Sequence, residues 1–123
     1  MTVNRNLAAF AAVNGAVAVA LGAFAAHGAG PQIKTLLTTG AQYQLTHALL
    51  GLACALWPAR TGLVNLAGWL ATVGGLIFSL SLALLGLLSL PALGAITPIG
   101  GVLMILAWLV LMLAALRINP SNA

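Results

Sequence analysis

Residues 40–54 read GAQYQLTHALLGLAC, and this stretch decides the fold. It is apolar enough to run as a membrane-spanning helix, yet it carries Tyr43, Gln44, Thr46 and His47. Side chains three and four apart share a helix face, so Tyr43, Gln44 and His47 form one stripe, which Gly51 and Cys54 continue. Hydrocarbon penalises such groups, so the stripe is expected to face protein or water rather than lipid. A helix of this kind needs neighbouring helices around it.

The rest of the chain supplies them. Of its 123 residues 63% are hydrophobic and only 3% charged, with a mean hydropathy of +1.16, so the surface cannot be that of a water-soluble domain. By length it is one domain. The formal charge is +4, with no Asp or Glu at all. Four isolated cations make no nucleic-acid patch and read instead as topology signals. The missing carboxylates exclude paired-acid hydrolysis, carboxylate proton relays, carboxylate metal cages and a Ser-His-Asp triad. A single cysteine, Cys54, excludes an intrachain disulfide and CxxC chemistry.

Four apolar runs, 7–26, 41–57, 63–88 and 100–116, are each near the ~20 residues that cross a ~30 Å hydrocarbon core. The expected fold is therefore all-α, an integral membrane four-helix bundle. In the first run Asn14 is polar near mid-depth, and Gly15, Ala18, Gly22 and Ala26 form a small-residue face suited to close packing. Arg5, the apolar run and Ala23-Phe24-Ala25 also resemble a secretory signal cleaved at Ala25 or Ala26. The run is longer than the usual signal core of roughly 7–15 residues and three more follow, which favours an uncleaved span. Between the first two runs, Gly28, Gly30 and Pro31 break the helix. Ile33, Leu36 and Leu37 then recur at helical spacing with Lys34 on another face, predicting a short interfacial helix within 28–40. Four spans place both termini on one side, together with Arg5, Arg60 and Arg117, and leave Lys34 opposite. The positive-inside rule makes the arginine side cytoplasmic, and Trp57, Trp69 and Trp108 lie toward it as an aromatic belt would.

With these pieces placed, the chain resembles the YgdD-like family of small four-span membrane proteins. The matching motifs are Gly22-Ala23-Phe24-Ala25-Ala26-His27, Tyr43-Gln44 with His47-Ala48-Leu49, Phe78-Ser79-x-Ser81 and Ile96-Thr97-Pro98-Ile99-Gly100-Gly101. They occur in the family's order through nearly the whole chain. Ala25 stands where the family pattern usually has glycine, and Leu80 where a small residue is usual. The resemblance implies a four-helix fold in a bacterial inner membrane, with eukaryotic relatives, cytoplasmic ends and no established activity.

Two readings of the polar residues stay open. In one, the helices enclose an outward-opening pocket lined by Asn14, His27, Tyr43, Gln44, His47, Ser79 and Ser81, which binds or passes a small solute, a proton or a lipid group. In the other, the same groups only lock helices together, as an interhelical bond from Asn14 would. His27, at the outer end of the first span, and His47, about two turns into the second, could meet to hold a metal or haem iron. Two imidazoles without further ligands are a sparse donor set, so no cofactor is expected. Gly22, Thr97, Pro98, Gly100 and Gly101 read as packing and turn residues. No nucleophile–base pair is visible, so no catalytic residue is named. The expected partners are membrane lipids and, through the small-residue faces, a second copy of the chain; nucleic acid is not one.

Overall fold

The computed structural model describes residues 3–58 and 61–118, so the expectation placed on Arg60 falls outside the described residues. Four helices account for most of them: α1 (Arg5–His27), α2 (Pro31–Ala55), α3 (Gly62–Leu88) and α4 (Thr97–Arg117), with a 3₁₀ turn at Pro91–Ala95 before α4. At 1.5 Å per residue they are roughly 32–40 Å long, enough to cross a ~30 Å core. By length and composition, Arg5–His27, Gly62–Leu88 and Pro91–Arg117 each suffice as a membrane span. α2 is as long, but its first half carries Gln32, Lys34, Thr35, Thr38 and Thr39.

Local chemistry sets the helix ends. Asn4 caps α1, its side-chain oxygen accepting from the Leu7 N–H at 3.2 Å, and Thr61 caps α3 through the Val64 N–H at 3.3 Å. Pro31 and Pro98 sit in the first turns of α2 and α4, where a missing N–H costs nothing. α3 ends at Ser89, a non-glycine in the left-handed region at φ 53°.

The separate interfacial helix expected within 28–40 is not a separate element. α2 starts at Pro31 and runs unbroken to Ala55, so that segment forms its first turns, about three of them. Gly40, the last residue of that expected segment, lies inside α2 and serves packing. A Cβ on it would lie 3.1 Å from the Ser79 Cα, so the glycine lets α2 and α3 close on each other.

α3 is the centre of the molecule, packing against α2, α4 and, less extensively, α1, while α1 packs mainly on α2. α4 rests on α3 and the 3₁₀ turn, and most of its large apolar side chains are exposed. The helices alternate in direction. Leu7, Cys54, Val64 and Ala114 share one buried cluster, which gathers the start of α1, the end of α2, the start of α3 and the end of α4. Ala25, Leu37 and Ala83 form the cluster at the opposite end. Ala25, the position weighed as a cleavage site, is thus 1% exposed within an intact α1.

Candidate functional site

The polar residues do not converge on one pocket. They separate into three sets, each on a different helix–helix seam. On the α1–α2 seam the Gln44 amide nitrogen donates to the Asn14 side-chain oxygen at 3.0 Å, and the Asn14 amide donates to the Phe10 carbonyl at 3.0 Å. Both residues are almost completely buried. On the α3–α4 seam the Ser81 and Thr97 hydroxyls are 2.6 Å apart, each also within reach of a carbonyl of its own preceding turn. Ser79 lies apart from both sets, against Gly40, and among the described residues its hydroxyl has no partner; nor has the Gln44 side-chain oxygen.

His47 belongs to the third set, between α2 and α4. Its Nδ1 lies 2.7 Å from the Tyr43 carbonyl, which can only accept, and its Nε2 receives the Trp108 indole N–H at 3.0 Å. The two bonds together require the neutral ring with its proton on Nδ1. Tyr43 stands one turn before it with its ring packed on Phe78 of α3, centroids 5.2 Å apart. Tyr43 is 49% exposed and sits in the central turn of α2.

Tyr43, His47 and Trp108 line two adjoining open grooves on the α2–α4 face. One, of about 460 Å³, is also lined by Thr39, Phe78, Gly101, Met104 and Ile105. The other, of about 430 Å³, adds Gln42 and Thr46. The Thr46 hydroxyl is used by the Gln42 carbonyl at 2.9 Å, whereas the exposed Gln42 carboxamide has no partner among the described residues.

His27 takes no part. It is exposed at the α1 terminus, next to the Gly28–Gly30 turn into Pro31. His47 is sixteen residues beyond Pro31, about 24 Å along α2. The idea that His47 lies two turns from the outer end is corrected by the earlier start of α2, and with it the meeting of the two histidines. Among the described residues no group of three or more His, Cys, Asp or Glu could hold a metal. Cys54 is buried in the apolar cluster near the other end of α2.

Of the packing residues, Gly100 is essential to geometry: a Cβ there would meet the Phe78 nitrogen at 2.5 Å and the Gly74 carbonyl at 2.7 Å. Gly101 has nothing within 4 Å of such a Cβ, and Gly22 only the Ala41 Cβ at 3.8 Å. Trp108 also departs from the belt expected of it. It lies nine residues before Arg117, about 13 Å up the helix, with its N–H committed to His47. Trp69 stacks on Phe10, 5.6 Å between centroids. Sequence reasoning missed Trp108, Phe78, Gln42 and Thr39 as groove residues. The polar spacing of Thr39, Gln42 and Thr46 on one helix face was a usable signal; nothing local marks Trp108 or Phe78.

The family described as "Protein of unknown function (DUF423)" matches residues 21–101, the interval that carries the ordered motifs from Gly22 to Gly101. A UPF0382 membrane protein of Staphylococcus epidermidis is 43% identical over 111 residues, covering 86% of this chain and 91% of that protein. The UPF0382 membrane protein YwdK of Bacillus subtilis is 41% identical over 114 residues, covering 86% and 92%. No solved structure matches the chain.

Proposed function

The chain belongs to the DUF423 family, whose relatives include bacterial UPF0382 membrane proteins, and from that premise we propose that it binds a lipid-soluble molecule in the α2–α4 groove. The supporting observation is the pairing of Gln42 and Tyr43, both exposed in the central turn of α2 beside that groove. A carboxamide and a phenol at mid-helix are costly against acyl chains and are expected to be covered. Phe78, Met104, Ile105 and Trp108 supply the apolar part of the walls, so the fitting molecule is largely hydrocarbon with a carbonyl or hydroxyl that pairs with Gln42 and Tyr43. His47 shapes the site by tying α2 to α4; both its ring nitrogens are already used. The arginine-rich end, with both termini, is assigned to the cytoplasm of a bacterial cell.

Native mass spectrometry of the full chain, extracted from its own membrane into mild detergent, tests this. The wild type should carry an apolar adduct that a Gln42→Leu, Tyr43→Phe double variant loses while remaining helical by circular dichroism. Equal retention by the variant would overturn the assignment.

A second reading is favoured by the Asn14–Gln44 and Ser81–Thr97 bonds, which join helices without lining the groove. There the protein is a packing or assembly unit, and a second copy covers Gln42. It would appear in the same spectra as an adduct-free dimer that dissociates in the Gln42→Leu variant.

A further inference from the structure

A separate cleft lies at the end of the bundle where α1 and α3 begin. It measures about 600 Å³ and is lined by Val3, Asn4, Arg5, Asn6, Ala9 and Asn65. Its hydrogen-bonding character follows from one constraint. The Asn4 side-chain oxygen is committed to the Leu7 N–H, so its amide nitrogen must point the other way, and it donates to the Asn65 side-chain oxygen at 3.2 Å. Both carboxamide oxygens are then engaged. What remains is the Asn65 NH₂, without a partner among the described residues, and the second N–H of Asn4. The exposed Arg5 guanidinium adds more donors and a full positive charge, and the sequence holds no Asp or Glu side chain to pair with it. Asn6, also exposed, brings a further carboxamide to the rim.

We propose that this cleft binds a phosphate ester through Arg5, Asn4 and Asn65. A planar guanidinium beside fixed amide donors suits the oxygens of a phosphate. Lipid headgroups and soluble phosphate esters share that chemistry. The inference rests on residues apart from the α2–α4 groove and stands or falls independently of it.

The test uses the full chain in mild detergent, offered phosphatidylglycerol and diacylglycerol at equal concentration and read by native mass spectrometry. Phosphatidylglycerol should be retained in excess over diacylglycerol, and Arg5→Gln should reduce that excess about fivefold. Asn65→Asp should reduce it as strongly, because the carboxylate still accepts from Asn4 but repels phosphate. Neither change removes a bond that holds the bundle, and unchanged melting temperatures would show it. Retention that survives excess inorganic phosphate identifies a lipid headgroup; displacement identifies a soluble ester. No preference over diacylglycerol, or the same preference in both variants, would overturn the proposal.

Discussion

His47 and Trp108 form a donor–acceptor pair in which each partner has one role. The indole can only donate, and the ring nitrogen facing it can only accept while Nδ1 holds its proton toward Tyr43. The pair spans the gap between α2 and α4, which otherwise meet through α3. A double-mutant cycle with His47→Ala and Trp108→Phe, followed by reversible unfolding in one detergent, should give a coupling free energy of about 0.6 kcal/mol and no more than about 1.7, the range of interhelical bonds in membranes. Additive single effects would mean that the bond contributes nothing to stability. His47 was legible as special because a polar ring in an apolar helix must find a partner. Its partner was not, since Trp108 is 61 residues away and the pairing depends on how α4 crosses α3.

α3 and α4 owe that crossing to glycines used as contact surface. At Gly74 and Gly100 the two backbones come so close that each glycine's missing Cβ would strike the other helix: a Gly74 Cβ would be 2.9 Å from the Gly100 carbonyl. Gly100→Ala should therefore destabilise the protein by about 1–3 kcal/mol, because backbone atoms cannot step aside as a flexible side chain would. Gly101→Ala, one residue on, faces open space and should change stability by less than about 1 kcal/mol. Thermal unfolding of the two variants in the same detergent checks the pair, and a reversed order would refute this account of the seam. The sequence presents Gly100 and Gly101 as one motif; the helix phase separates them, since neighbours on a helix are about 100° apart. The true start of α2 at Pro31 was hidden for another reason, the polar residues before the apolar run at 41; Gly40 lies within the helix and packs against Ser79.

Across the whole molecule, alternating helix directions gather Arg5 and Arg117 at one end and Lys34 and the Pro91–Ala95 turn toward the other. With the arginine end cytoplasmic, a cysteine at Ala92 in a Cys54→Ala background should react with a membrane-impermeant maleimide on intact cells, and one at Gly62 should react only after lysis. The opposite pattern would invert the assigned topology. Four apolar runs, near-absent charge and the arginine distribution were enough to determine an all-α membrane bundle, because hydrocarbon leaves the backbone few alternatives to a helix. Of the seven polar residues the same local rules singled out, Asn14, Gln44, His47, Ser79 and Ser81 are buried, while His27 and Tyr43 are exposed. Which of them meet was decided only by tertiary structure. Helical periodicity fixes the face a residue occupies along its own helix, but the partner on the next helix depends on crossing and relative rotation. Those are set by close backbone contacts at Gly40, Gly74 and Gly100, and they divide one imagined pocket into three seams and an open groove on the α2–α4 face.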